Sequence, residues 1–455
     1  MPVTDLQDFD LRLSTENYQY RTPMKFGGRV VREVAVLSVD CDAESGVGKA
    51  RGHGSMTMGT TWAWPDPAVD DATKLAAVIK LSHRLAKSFL DHPRQGHPMD
   101  LCHQRLESRW HDAKAVADEF GLASPIPPLA VLLAASPIEA ALFDAHGKAA
   151  NRSAYALLSR EHLAHDMAHY LGDPAYQGIY LDQWISPTPT SQLPLYHLVG
   201  ALDPLTEDQV DQPVGDGMPE TLGEWIARDG LTHLKIKLDG SDLQWDVNRV
   251  AQVHAVTQQT PEGQQTSWSF SLDFNERCED EAYVLAMLDE LQQCAPSAIP
   301  CIEYIEQPTH RDLERHPEIT MHRVAQRLPV VIDESLIDLK SLRTAISQGY
   351  SGIALKACKG HAEAILLGAV ARHEKLYLCV QDLTCVGASL LHSASLAAHI
   401  PGVAAVESNG RQYCPQGNQA WMDRYADFFE VRSGMLPTGK LDGPGLGYAT
   451  PSVPA

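Results

Sequence analysis

Five short stretches in the second half of the chain carry acids and amines in a repeating setting. They are Lys235-Ile236-Lys237, Asp273-Phe274-Asn275, Glu306-Gln307-Pro308, Asp333-Glu334-Ser335 and Lys356-Ala357-Cys358-Lys359. Each follows a short apolar run, so Asp273, Glu306 and Asp333 are expected at the ends of three successive strands. Neighbouring strands stand about 4.8 Å apart, which lets the three side chains converge. Carboxylates so close repel and raise each other's pKa. A hard divalent cation relieves that repulsion. Mg²⁺ suits the set, because it takes oxygen ligands and keeps positions for water or substrate. Neither histidine nor cysteine stands at these three positions, which argues against zinc.

The lysines flank the acids on the preceding and following strands. A lysine beside a divalent cation or a second ammonium group has a depressed pKa and can act as a base. Lys235 and Lys237 are two apart and face the same side of their strand. Lys237, nearer the rim, is expected to be the base and Lys235 to support it. Lys356 would meet a bound carboxylate from the opposite face. Lys359 is either a supporting charge or a surface one. Glu334 follows a ligand and should point elsewhere, and Glu303 lies too early in its strand to reach the ion.

The elements that must hold these groups are legible as a repeat. Apolar runs occur at 193–201, 233–238, 267–273, 301–306, 329–333, 352–356, 376–380 and 403–407. Most successive starts lie roughly 23 to 34 residues apart, the length of one strand–helix unit. Eight such units imply an α/β fold with a closed parallel barrel whose C-terminal strand ends face the active site. A doubly wound sheet is the structural alternative. Segment 202–223, rich in Asp, Pro and Gly, reads as an excursion after the first barrel strand. Upstream, 30–40 reads as a strand, and 70–90 and 100–120 as helices. Residues 136–148 read as a helix with Ser136 as N-cap and Gly147 as its stop. The expected organisation is an α+β capping domain over 1–160, a barrel over 161–410, and a tail, 411–455, that folds back to complete the cap.

The ordered set KIK, LDFNE, IEQP, IDES and LKACK resembles the enolase superfamily, and within it the muconate-lactonizing and dipeptide-epimerase branch of the mandelate racemase/muconate-lactonizing enzymes. SPIEAALFDAHGK is similar to the helix that closes the capping domain there. The resemblance covers about 20–410 and implies a modified TIM (β/α)7–8 barrel under an α+β cap. It implies one Mg²⁺ per chain, with Mn²⁺ as a substitute, on Asp273, Glu306 and Asp333, and Lys237 and Lys356 as the acid/base pair. Superfamily sites use a Lys or His base with Mg²⁺ to abstract a proton α to a carboxylate through a metal-stabilised enediolate. Racemisation, epimerisation or cycloisomerisation of a small carboxylic acid follows from two lysines on opposite faces. Dehydration of an acid sugar or hydroxy acid is the lyase alternative, and an inactive acid-binding barrel the alternative outside catalysis.

The loops 25–29 and 54–64 match the family's specificity loops. Read as a lid, they place Met56, Met58, Trp62 and Trp64 as an apolar wall and Lys25 or Arg29 opposite a second anionic group; read blandly, they are ordinary packing. Asn275, Gln381, Asp382, Glu407 and Asn409 stand at strand ends where they could touch the substrate. Glu407-Ser408-Asn409 replaces the Asp-x-Asp with which dipeptide epimerases hold an ammonium group. Gly360-His361 stands where many relatives have Gly-Gly. The seventh strand lacks the His-Asp arrangement of racemases that use a histidine base.

Composition narrows the partners. A net charge of −21 over 455 residues repels nucleic-acid backbones and anionic lipid, so neither is expected. Nine cysteines without a CxxC pair read as free thiols in a reducing cytoplasm. Residues 1–13 do not read as a signal peptide, and 129–143, broken by Pro137 and Glu139, is too short to span a bilayer. His97, His103 and His111 have no i, i+4 spacing and read as solvated; His392 reads as structural. A symmetric homo-oligomer is the default expectation for such an enzyme.

Overall fold

The computed structural model describes residues 2–26, 29–260 and 267–451. The N-terminal part begins with an antiparallel sheet of β1 (Leu6–Phe26), β2 (Arg29–Ser45) and β3 (Gly48–Thr57), in that order. Sequence reading found only part of β2. The pairing of β1 slips between Gln19 and Met24, where Pro23 has no N–H to give the ladder. Helix α1 (Asp71–Asp91) starts where the Asp70 side chain accepts from Thr73 N. The helix expected over 100–120 is two, Pro98–His103 and Ser108–Glu119. They part where Arg105 turns inward over the ring of Phe89, 5.7 Å away.

Helix α2 (Pro128–Ala149) corrects a sequence expectation at both ends. Ser136 is not its N-cap and Gly147 not its stop. The helix begins eight residues earlier, and Pro137 lies inside it. Proline removes the bond that would reach the carbonyl four residues back. Here that carbonyl, Leu133 O, accepts from Ser136 Oγ at 3.0 Å instead. The apolar stretch 129–135 is buried all round, so it carries no helical periodicity. By length and composition α2 could cross a membrane, but it is the buried core helix against the sheet. Strand β3 approaches it so closely that a Cβ on Gly54 would stand 2.2 Å from Pro137 O, and one on Gly52 2.2 Å from Ala145 N.

Eight parallel strands follow: β4 (Leu193–Val199), β5 (His233–Lys237), β6 (Ser269–Asp273), β7 (Ile302–Glu306), β8 (Val330–Ile332), β9 (Gly352–Lys356), β10 (Tyr377–Gln381) and β11 (Val406–Glu407). Each pairs with the next, and β11 pairs with β4 to close the barrel, which excludes the doubly wound sheet. A short β12 (Met435–Leu436) runs antiparallel to β4. Helices such as α3 (His361–Glu374) and α4 (Ala388–His399) connect the strands. Tyr196, Tyr304, Val331, Ala354, Cys379 and Ala405 fill the barrel floor. Glu303 accepts the Tyr196 hydroxyl there, away from the acids at the rim.

Three ties join the parts. Glu139 of α2 accepts from Ala362 N, 3.1 Å away in the first turn of α3. Arg21 of β1 donates from Nε to Asp216 at 2.6 Å, pinning segment 202–223 to the sheet. The C-terminal segment returns to α2 and β3: Leu446 N donates to Asp144, and Tyr448 OH to His53 O, both at 2.9 Å.

The junction is rich in buried imidazoles. His97, expected to be solvated, is buried, accepts from Met99 N through Nδ1, donates to Leu157 O through Nε2, both at 3.1 Å, and stands 4.7 Å from His146. His361 Nδ1 lies 2.8 Å from His392 Nε2. His399 stacks on Tyr155 at 3.8 Å. All nine cysteines are free.

Candidate active site

Strand register puts three of the reactive side chains on one level. Lys237 pairs with Asp273 across β5 and β6, and Asp273 with Glu306 across β6 and β7. Their side chains meet as an ion network. Lys235 Nζ lies 2.8 Å from Glu306, 3.2 Å from Asp273 and 3.2 Å from Glu407. Lys237 pairs with Asp273. On the other side, Lys356 and Lys359 each stand 3.1 Å from an oxygen of Asp333. Lys359 Nζ also donates to Asp333 O at 2.6 Å, so it supports that carboxylate.

Backbone and amide groups hold the acids in place. Gln307, with φ +30, accepts Asp333 N at 2.9 Å and Ser335 N at 3.2 Å through Oε1. Asn275, with φ +46, donates its N–H to Asp273 at 2.9 Å. Asparagine is one of the few residues that takes this left-handed conformation readily. Gln381 donates to Glu306. Asp382 accepts Thr384 N, Cys385 N and Asn409 N, which pins the loop after β10.

The protonation pattern follows from burial and neighbours. Burial would lower the ammonium of Lys235, but Glu306, Glu407 and Asp273 outweigh it and hold it well above the usual lysine value. Lys356 is raised likewise, Asp333 outweighing burial. These two shifts run opposite to the depressed values expected of a base. Lys359 is lowered, first by burial and against the pull of Asp333. Burial raises Glu306 to about 8, with Asp273 adding to it. Burial and then Glu407 take Asp382 to about 7. Glu334 is pushed well above the usual carboxylate range, by burial and then by Asp333. Against burial, Lys237 and Lys235 keep Asp273 low, and Lys356 and Lys359 keep Asp333 low.

Charge counting tests whether a cation fits. Asp273, Glu306, Asp333, Glu334, Asp382 and Glu407 are six buried carboxylates; Lys235, Lys237, Lys356 and Lys359 are four buried amines. With all six ionised the excess is two negative charges on hard oxygen donors, which matches Mg²⁺ in charge and in ligand type, and the raised Glu306, Glu334 and Asp382 are groups that a cation would favour in the ionised form. Among the described residues, the one group of ligand atoms all within 4.8 Å of one another is elsewhere, at Asp100, His165 and His169. Asp273, Glu306 and Asp333 are not gathered so tightly, because ammonium groups stand among them.

A cavity of about 780 Å³ opens between the barrel mouth and the β1–β2 hairpin. Lys235, Lys237, Lys356, Asp382 and Glu407 line it, with Trp62 and Met58 on one wall and Tyr20, Met24 and Leu198 on another. Trp62 donates Nε1 to Glu334 at 3.1 Å, and Lys356 Nζ stands 4.9 Å from its ring. Met56 and Trp64 are buried but do not line the cavity. Of the two basic candidates, Arg29 lines the cavity and Lys25 does not; Lys25 pairs with Asp239 at 3.5 Å. Asn275 is also outside the lining. Gly27 and Gly28, in the 25–29 loop, lie outside the described residues.

Sequence reading missed several participants. The Trp62 bond to Glu334, which as expected points away from the cavity and does not line it, and the Gln381 bond to Glu306 were not foreseen. The hairpin wall was missed too, although Phe9, Leu11 and Leu13 alternate in β1 with polar residues, a strand signal.

A closed parallel barrel bearing acids and lysines at its C-terminal rim defines the TIM-barrel class of fold. Residues 217–450 match the enolase C-terminal domain-like family, and the chain belongs to the enolase superfamily, among its mandelate racemase/muconate-lactonizing members. No curated protein matches it. Solved structures that resemble it include an N-succinyl Arg/Lys racemase from Bacillus cereus, at 16% identity, TM-score 0.60, covering 99% of this chain and 96% of that one. A 2-chloromuconate cycloisomerase from Rhodococcus opacus is 15% identical, TM-score 0.56, over 97% and 96%. An enolase from Bradyrhizobium, complexed with magnesium and mandelic acid, is 16% identical, TM-score 0.56, over 90% and 88%. At these identities the likeness is one of fold.

Proposed function

We propose that the chain is a Mg²⁺-dependent enzyme that abstracts a proton α to the carboxylate of a small acid, as a racemase, epimerase or cycloisomerase. One observation carries this reading: lysines from β5 and β9 flank a group of buried carboxylates and open into the same cavity. Asp273, Glu306 and Asp333 would hold the cation. When bound, it supplies positive charge beside the substrate carboxylate, where a second negative charge develops on deprotonation. The Bradyrhizobium structure, with magnesium and an α-hydroxy acid, supports the same ligand pairing.

The residues of the chain do the rest. Lys237 takes the α-proton on one face and Lys356 returns a proton on the other. Lys235 sets the charge around Lys237. The Asp333 carboxylate, which Lys359 also holds, keeps Lys356 charged and ready to donate. A carboxylate neighbour that binds a cation no longer raises the pKa of the lysine beside it, which favours the neutral amine. Trp62, with Asp382 and Glu407 at the far strand ends, orients the substrate. The same reading divides the chain into a cap, 1–160, a barrel, 161–410, and a returning tail, 411–455.

Incubation of candidate acids with protein and Mg²⁺ in D₂O tests the proposal. Deuterium at the α-carbon, lost in Lys237→Ala and Lys356→Ala, is the expected result. Loss of optical rotation distinguishes a racemase, and new absorbance a lyase acting as a dehydratase. No exchange across a broad acid library would leave an inactive acid-binding barrel.

A further inference from the structure

A second group of metal-ligating side chains lies outside the barrel mouth, where helix Pro98–His103 meets the segment entering the short helix Met167–Leu171. One ligand atom from each of Asp100, His165 and His169 falls within 4.8 Å of the other two. His165 and His169 are exposed and stack at 3.9 Å between ring centroids. The His103 ring stands 4.8 Å from that of His169, and its Nδ1 is buried with no hydrogen-bond partner among the described residues.

The local backbone holds these groups in place. Asp166 caps the short helix by accepting His169 N and fixes the following turn through Gly178 N at 2.8 Å. Tyr170 OH donates to one oxygen of Asp100 at 2.6 Å, so the carboxylate is anchored and its other oxygen remains for a ligand. A second carboxylate lies behind. Asp5 is buried, its charge is felt by and repels that of Asp100, and its Oδ1 has no hydrogen-bond partner among the described residues. Buried carboxylate oxygens without partners are costly unless something positive reaches them.

We propose that Asp100, His165 and His169, with His103 beside them, form a site for a divalent transition ion, Zn²⁺ in particular, distinct from the oxygen-only group in the barrel. Two imidazoles and a carboxylate suit Zn²⁺ with a fourth position for water, and they do not suit Mg²⁺. The ligands come from two segments far apart in sequence, so the ion would staple 165–171 onto helix Pro98–His103. Because the imidazoles are exposed, the site is accessible to ions in solution and should exchange them readily.

Calorimetric titration of tag-free full-length protein with ZnCl₂ in excess Mg²⁺ tests this, beside His165→Ala/His169→Ala and Asp100→Asn variants. The wild type is expected to bind one Zn²⁺ more than the double variant, with the Kd of Asp100→Asn weakened about tenfold. Co²⁺ should give the visible absorption of a four-coordinate nitrogen–oxygen site in the wild type only, and Zn²⁺ should raise the Tm of the wild type only. Circular dichroism and the Tm without Zn²⁺ show whether the variants are folded. Equal Zn²⁺ stoichiometry and affinity in wild type and a folded double variant would overturn the proposal. Any Zn²⁺ taken by the barrel carboxylates appears equally in both proteins, so the outcome is independent of whether the barrel binds Mg²⁺.

Discussion

Replacing His399 by Phe isolates the cost of keeping one imidazole neutral inside this fold. His399 Nδ1 donates to Ser395 O at 2.8 Å, which fixes the tautomer, and Nε2 is buried without a hydrogen-bond partner among the described residues. Burial lowers its pKa from 6.5 to about 4. The sign follows directly. The unfolded chain takes up a proton near pH 6.5, and the folded chain refuses it until about pH 4. The contribution is therefore whole above pH 6.5 and is lost as pH falls through that window. For one such group the loss is about 2 kcal/mol between pH 7.5 and pH 5, and it levels off at about 3.4 kcal/mol below pH 4. Phe keeps the stack on Tyr155 but forfeits the Ser395 bond, worth about 1 kcal/mol. Urea unfolding at 25 °C should find the variant less stable at pH 7.5, level with the wild type near pH 6, and more stable at pH 5. Glu306, Asp382 and Glu363, raised to about 8, 7 and 7, titrate in the opposite sense and gain stability on acidification. They are common to both proteins and cancel in the difference. Parallel stability curves from pH 7.5 to 5, with unchanged m values, would refute the argument.

Lys237→Ala and Lys356→Ala should abolish α-deuterium exchange while circular dichroism stays that of the wild type; full exchange in either removes the role assigned to it. Mg²⁺ should raise the Tm of the wild type and leave that of a Glu306→Gln/Asp333→Asn variant unmoved, and an equal shift in both would place the ion elsewhere. Gly54→Ala puts a Cβ 2.2 Å from Pro137 O and should cost at least about 1–3 kcal/mol in a urea melt, so a neutral result would mean that β3 and α2 separate easily. Arg411→Met leaves Asp229 buried with Arg228 as its remaining cationic partner, and a loss of about 3–5 kcal/mol is expected; a loss under 1 kcal/mol would show that Arg228 suffices.

Much of the barrel could be read from the chain because its strands are short, apolar and evenly spaced. All eight runs became strands, and Asp273 and Glu306 share a level because their strands pair in register, while Val331, two residues before Asp333, stands opposite Glu306. Elements buried on every side were harder. Helix α2 lost its periodic signal to its own burial, and its internal proline mimicked a start. His97 lacked any helical partner in sequence, yet tertiary packing buried it against His146.

The sequence by itself determined which chemistry was available: five strand ends with three acids and four lysines, in an order that local residue types and period fix. Only the tertiary structure decided which of these groups touch. It turned Glu334 to Trp62, gave Glu306 to Lys235 and Gln381, and brought a hairpin from the far end of the chain over the barrel mouth. Such contacts join residues hundreds of positions apart. They are set by how whole layers pack, and no local pattern of residues encodes that.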